Sequence, residues 1–199
     1  MAINPTLDEV RAALRAPAGA SSDFDLNEVS LPPGRKLRAA AVLMLLVPGA
    51  HGLELVLTKR SSELKHHPGQ ISFPGGKQEE SDADAWACAT REAAEEIGAN
   101  PGGIEPLGTL PAHETVTSFT IAPQVGLLKT PQVFHPSDGE VAEVFHVPLA
   151  HVADPTSYVI EGRMWQGAIR RYYAVPYGPY YIWGATARML RGFADRFAT

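Results

Sequence analysis

The chain reads as an α/β sandwich, a mixed β-sheet held between helices. Apolar runs of strand length recur at 39–47, 53–58, 104–110, 119–128, 140–149 and 169–175. Between the second and third runs stands an alanine-rich helical segment that stops at Gly98, and an aromatic-led segment opening at Tyr180 reads as the closing helix. At 199 residues and 45% hydrophobic content, the chain can fill one sizeable core.

Residues 1–35 read as an arm that packs on the core or on a second subunit, and 36–199 as the main domain. Within the arm, 5–15 suits a short helix with an apolar stripe at Leu7, Val10 and Leu14; 17–22 is small and polar, and Leu31-Pro32-Pro33-Gly34 punctuates the junction. The run 39–47 is a buried strand closed by Pro48-Gly49, and 53–58 is its neighbour across a turn. Lys59, Arg60 and Lys65 follow in a loop beside His66 and His67, immediately before the glycines Gly75 and Gly76, where cations can meet a phosphate. Beyond the helix come the strands at 104–110 and 119–128, a polar loop at 131–139, the strands at 140–149 and 169–175, and a last helix running to about Phe197.

The chemistry concentrates between Gly75 and Gly98. A glycine turn and an acidic patch lead into the helix, and near its end sit Glu92, Glu95 and Glu96. At about 100° per residue these carboxylates share an arc of roughly 100°. Trp86, Thr90, Ala93 and Ile97 gather on another side as a face to bury, while Ala85, Cys88 and Ala89 are small enough to admit a second backbone. Carboxylates this close repel, and each resists ionising alone. Mg²⁺ or Mn²⁺, which takes hard oxygen ligands and phosphate, removes the repulsion. The competing reading is a plain solvated acidic face. Against it stand Arg91, spaced to hold Glu95 from one turn back, and the glycine turn, whose N–H groups lead into the helix to meet an anion.

Gly76, Asp82, Arg91-Glu92, Ala93, Glu95-Glu96 and Gly98 together resemble the signature of the Nudix hydrolases. Two departures, one extra residue between Gly76 and Arg91 and Asp82 where Glu is usual, resemble the coenzyme A pyrophosphatase branch. So does the upstream run from Leu57 to Gly76, which carries Lys65-His66-His67-Pro68-Gly69-Gln70 and has Lys65 where that branch has Arg. The two motifs span about forty residues.

The resemblance implies a Nudix-type α/β/α sandwich with Mg²⁺ or Mn²⁺ held by Glu92, Glu95, Glu96 and Gly76. It implies catalysis by those glutamates with Arg91 and Glu140, the latter as a further ligand or as the base, with Glu143 and Glu114 behind it. Lys59, Arg60, Lys65, Gly75, Gly76 and Lys77 are then the substrate-binding set. The implied reaction splits coenzyme A or an acyl derivative into 3′,5′-ADP and a 4′-phosphopantetheine. The alternatives are another nucleoside diphosphate derivative such as ADP-ribose or, from a different class, a ligand-sensing domain without turnover. A homodimer follows from the resemblance alone. One further departure concerns the loop 115–119, where Ser118 stands in place of Gly and leaves the loop's conformation open.

Net charge −5 and pI near 5.8 argue against a nucleic-acid binder. The single cysteine, Cys88, allows no internal disulfide and reads as a small core filler in a reducing compartment. No apolar run is long enough to span a bilayer, Asp8, Glu9 and Arg11 interrupt any leader-like core, and the ending Phe197-Ala198-Thr199 is no peroxisomal address. No membrane partner and a cytoplasmic location are the resulting expectations.

Overall fold

The computed structural model describes residues 4–27, 34–165 and 167–197; Leu31-Pro32-Pro33 and the terminal Ala198-Thr199 lie outside them. In chain order the elements are α1 (Leu7–Arg15), β1 (Ser21–Ser22), β2 (Arg38–Gly49), β3 (Gly52–Arg60), β4 (Ile71–Ser72), β5 (Gly75–Lys77), α2 (Ala85–Ile97), β6 (Ile104–Thr109), β7 (His113–Glu114), β8 (Phe119–Leu128), β9 (Val141–Pro148), α3 (Leu149–Val152), β10 (Val159–Trp165), β11 (Ala168–Ala174) and α4 (Gly184–Ala194).

The main sheet is mixed. β2 runs parallel to β8 from Arg38↔Phe119 to Leu46↔Leu127, and antiparallel to β3 and β5. β3 pairs in turn with β4 and β9, while β8 carries β6 and β7, and β7 pairs with β1. Alternation along β2 decides which layer each side chain joins. Leu43, Leu45 and Val47 point to α2 and pack with Cys88, Ala89, Ala93 and Ile97. Met44 and Leu46 point to the other face, into a core shared with Val10 of α1 and Leu190 and Phe193 of α4. A strand apolar on both faces, covered by helices on both sides, is what makes the molecule a sandwich.

The strand β10 departs from the expectation, which placed no strand at 159–165. Its sequence mixes charged and apolar residues around Gly162 and has no buried face to impose alternation; β11 supplies its hydrogen bonds, in a hairpin separate from the main sheet. At 115–118, Ser118 takes φ +64, so the left-handed turn forms without glycine, and Arg35 donates to the Ser118 hydroxyl at 3.3 Å. Among the described residues no helix is long and apolar enough to cross a membrane.

The helix α1 opens with a reciprocal cap: Thr6 Oγ1 accepts from the Glu9 N–H at 3.3 Å, and the Glu9 carboxylate accepts from the Thr6 N–H at 2.7 Å. Its other end is tied to the chain's C-terminus, where Arg196, 9% exposed, donates to the carbonyls of Ala13 and Leu14 at 3.1 and 3.4 Å. The Ala13 carbonyl also accepts from the Ala16 N–H at 3.2 Å, and carbonyls at a helix C-terminus suit a cation. R196A is expected to lower stability by about 1–3 kcal/mol in urea unfolding, and to open the arm to limited proteolysis near residues 7–16. An unchanged digestion pattern would count against this tie.

Candidate active site

The site is built where α2 lies against β5. Asp84 caps the helix by accepting from the Ala87 N–H at 2.8 Å, and Gly98 ends it with φ +67, its N–H returning to the carbonyls of Ala93 and Ala94. β5 pairs with β2 through Ala41↔Gly76 and Val42↔Gly75. Gly75 is sterically required, and Gly76 leaves the room that the Glu92 carboxylate occupies. A Cβ on Gly75, at φ +155, would meet the Ala41 carbonyl oxygen at 2.5 Å, and one on Gly76 would meet Glu92 Oε1 at 2.4 Å. The small side of α2 allows the same approach, with Cys88 Sγ 3.8 Å from the Gly76 carbonyl oxygen.

The expected glycine turn is a strand, with the acidic patch between it and the helix. Gly75 and Gly76 belong to β5, and the seven residues 78–84 separate Lys77 from the start of α2 at Ala85. The glycines are engaged by strand pairing, so the anion at the Gly75 N–H is the chain's own Glu96, at 3.2 Å, and the helix N-terminus is occupied by Asp84.

The three glutamates have different surroundings. Glu96 is 7% exposed; burial pushes its carboxyl up to about 7, against the opposing pull of the Gly75 N–H and Arg60, and with Glu92 and Glu140 adding to the rise. Glu92 is half-buried and also raised, first by burial, with Glu95 and Glu140 adding repulsion and Arg91 opposing it. Glu95, with its side chain 58% exposed, reaches Arg91 Nη1 at 3.2 Å. Hence the helical arc runs from solvent to interior. In this arrangement the three do not converge, and among the described residues no three His, Cys, Asp or Glu groups stand together as ready ion ligands. The donor chemistry nevertheless fits a hard dication: two poorly neutralised carboxylates face the Gly75–Gly76 strand, each held back from ionising by its surroundings.

Arg91 does more than hold Glu95. Its guanidinium makes a two-point fork on Asp82, Nε to Oδ1 at 2.9 Å and Nη2 to Oδ2 at 3.0 Å, and Nη1 also reaches Glu92 at 3.1 Å. Asp82 is held well below the usual carboxylate range, first by Arg91 and then by the Glu79 N–H that it accepts at 2.8 Å. The sequence reading used Asp82 only as a signature position. Its anchoring role depends on the loop folding back nine residues, for which charge complementarity to Arg91 is the one signal in the sequence. Cys88, wedged beneath, has its thiol pushed up to about 11, chiefly by burial.

The remaining candidates are dispersed. Glu140, exposed at the start of β9, is near enough to raise both Glu92 and Glu96, and its carbonyl accepts from the Ser61 N–H at 2.8 Å. Glu143 accepts from the Tyr180 hydroxyl at 2.5 Å, and Glu114 pairs with Arg35 at 2.5 Å, so both have partners of their own. Arg60 lies in reach of Glu96 with its Nε buried and without a hydrogen-bond partner. Lys59, Lys65 and Lys77 are exposed, and the Lys77 carbonyl accepts from Arg91 at 3.4 Å. A cavity of about 750 Å³ opens beside Gly75 and Arg60 and extends to Trp183 and the β10–β11 hairpin. This wall was not foreseen, because it depends on the strand missed at 159–165.

The profile of the NUDIX domain family matches residues 36–165. A relative described as the uncharacterized Nudix hydrolase NudL of Enterobacter sp. (strain 638) is 39% identical over 161 residues, covering 79% of this chain and 81% of that protein. The NudL of Escherichia coli (strain K12) is 37% identical over 161 residues, with the same shares. Among solved structures, the MutT protein from Methanosarcina mazei Go1 superposes with TM-score 0.51 at 20% identity, over 85% of this chain and 96% of its own, a likeness of fold. A Nudix signature on α2 and β5, a Nudix sandwich around them and relatives matched over four-fifths of their length lead to one statement: the chain belongs to the NUDIX domain family, as a Nudix hydrolase.

Proposed function

We propose that this Nudix hydrolase splits the diphosphate of coenzyme A or an acyl derivative, giving 3′,5′-ADP and a 4′-phosphopantetheine. The observation that carries the reaction class is a pair of carboxylates with raised pKa, half-buried Glu92 and buried Glu96, set against β5 beside a cavity of nucleotide size. The substrate class rests on the run from Leu57 to Gly76 and its resemblance to the coenzyme A pyrophosphatases.

In this reading Glu92, Glu95, Glu96 and the Gly76 carbonyl hold Mg²⁺ or Mn²⁺. Bound there, the metal supplies charge for the diphosphate oxygens and lowers the pKa of a coordinated water. Arg91, clamped by Asp82, orients Glu92 and Glu95. Glu140, exposed and near enough to Glu92 and Glu96 to raise both, takes the proton of the attacking water. Arg60 and the Gly75–Lys77 strand bind the phosphates, with Lys59 and Lys65 at the rim. Residues 1–35 serve as an arm of the same domain, 36–199.

Incubation with Mg²⁺ or Mn²⁺ and a panel of coenzyme A, acyl derivatives and ADP-ribose is expected to yield 3′,5′-ADP from the first two, with EDTA abolishing the reaction. Efficient turnover of ADP-ribose with none of coenzyme A would overturn the substrate and keep the reaction class. E96Q is expected to lose about 10²–10⁴-fold in kcat; activity within about twofold of the parent would remove Glu96 from the reaction.

The same variant tests the electrostatics. An ordinary glutamate titrates near 4.3 when unfolded, whereas Glu96 in the fold titrates at about 7. The fold therefore favours the protonated form, and this contribution is full below the unfolded value and lost as pH rises through the folded one. In EDTA, E96Q is expected to gain stability over the parent progressively from pH 4 to pH 7 and to keep that gain above it, read as urea midpoints across pH. A gain that does not depend on pH would refute the raised titration.

A further inference from the structure

The far wall of the 750 Å³ cavity has an arrangement that the proposed reaction does not use. In the β10–β11 hairpin Arg163 stands directly opposite Arg170, with Glu161 opposite Tyr172 on the same face. Two like charges facing each other across an antiparallel pair oppose its formation. Arg170 is relieved in part by a shared carboxylate, and Arg163 is not. Arg170 is 3.4 Å from Asp23, but that carboxylate also accepts from the Val116 N–H at 2.9 Å and is bonded to His113 at 3.2 Å. Glu161 is taken by the Tyr181 hydroxyl at 2.5 Å. Among the described residues Arg163 has no carboxylate at ion-pair distance, only the ring of Trp183, 5.7 Å away. Trp183 in turn sits against Tyr172, ring centroids 5.1 Å apart.

We propose that Arg163 and Arg170, beside Trp183, form a subsite for a phosphate monoester carried on the nucleotide half of the substrate. A dianion set between the two guanidiniums satisfies both forks and removes their repulsion, as a neutral or singly charged group cannot. The neighbouring aromatic faces suit a base. Gly75 and Arg60 line the same cavity as the hairpin, so a nucleotide bound against Trp183 has its diphosphate end toward the glutamates. Lys59 and Lys65, the other basic residues of the upstream motif, do not line it. The pair thereby distinguishes a nucleotide with an additional phosphate from an otherwise identical one without it. This inference rests on the reading of the protein as a nucleotide diphosphate hydrolase and assigns the part of that substrate which selects it.

The test is direct binding of adenosine 3′,5′-bisphosphate and adenosine 5′-monophosphate to the full chain by calorimetry. The parent is expected to prefer the bisphosphate by roughly ten- to a hundredfold. Arg163 is exposed, so R163A should fold, which circular dichroism verifies; it is expected to shrink that preference to within about threefold, while R163K, which keeps charge without the fork, lies between. A parent without preference, or an R163A variant that keeps it, overturns the subsite. The two readings fail separately: preference without coenzyme A turnover sustains the subsite and sinks the proposed reaction, and turnover without preference does the reverse.

Discussion

The site depends on the close sideways approach of α2 to the strand Gly75–Lys77. Two glycines and a helix flank of alanine and cysteine allow it, since a Cβ on either glycine would collide with backbone or with Glu92. Once the backbones are this close, Glu96 is buried and its carboxylate finds the Gly75 N–H. The same approach leaves Glu92 half-buried, whereas Glu95, on the outer edge of the arc, stays in solvent. One steric fact thus sorts three neighbouring carboxylates into three electrostatic situations.

The arginine fork on Asp82 fixes the other edge of the site. Arg91 is tied to the loop ahead of its own helix, so the fork pins the loop 78–84 to the second turn of α2. A bidentate pair of this kind sets orientation as well as energy. Across the molecule the charge reverses. The chain carries a net −5, yet the hairpin and the start of α4 gather arginines around one cavity. Under the proposed reaction, a diphosphate joined to a base would meet the carboxylates of α2 at one end and guanidiniums at the other, which would give the ligand a direction.

Much of this was legible in the sequence, for identifiable reasons. The strands β2, β3 and β8 are apolar on both faces because helices cover both, and such runs stand out without reference to partners. Gly98 and the alanine content marked α2, and residue spacing alone put Glu92, Glu95 and Glu96 on one arc. That spacing carries no information on which end of the arc slides beneath a neighbouring strand, so the burial of Glu96 emerged only from packing. The Asp82–Arg91 fork needs a loop to fold back, and β10 owes its existence to β11 and not to a hydrophobic pattern of its own. At Ser118 the local rule pointed to glycine, but Arg35 and the Thr115 turn hold a serine in the same region of φ.

The position of Cys88 carries a last consequence. It is the chain's one cysteine, fully buried in the seam between α2 and β5 with a thiol held in its protonated form. A disulfide reagent in solution can reach that sulfur only when the seam parts. Its rate of modification in the native protein therefore clocks the local parting of α2 from β5, and under the proposed function a diphosphate ligand that clamps the seam shut would slow the clock.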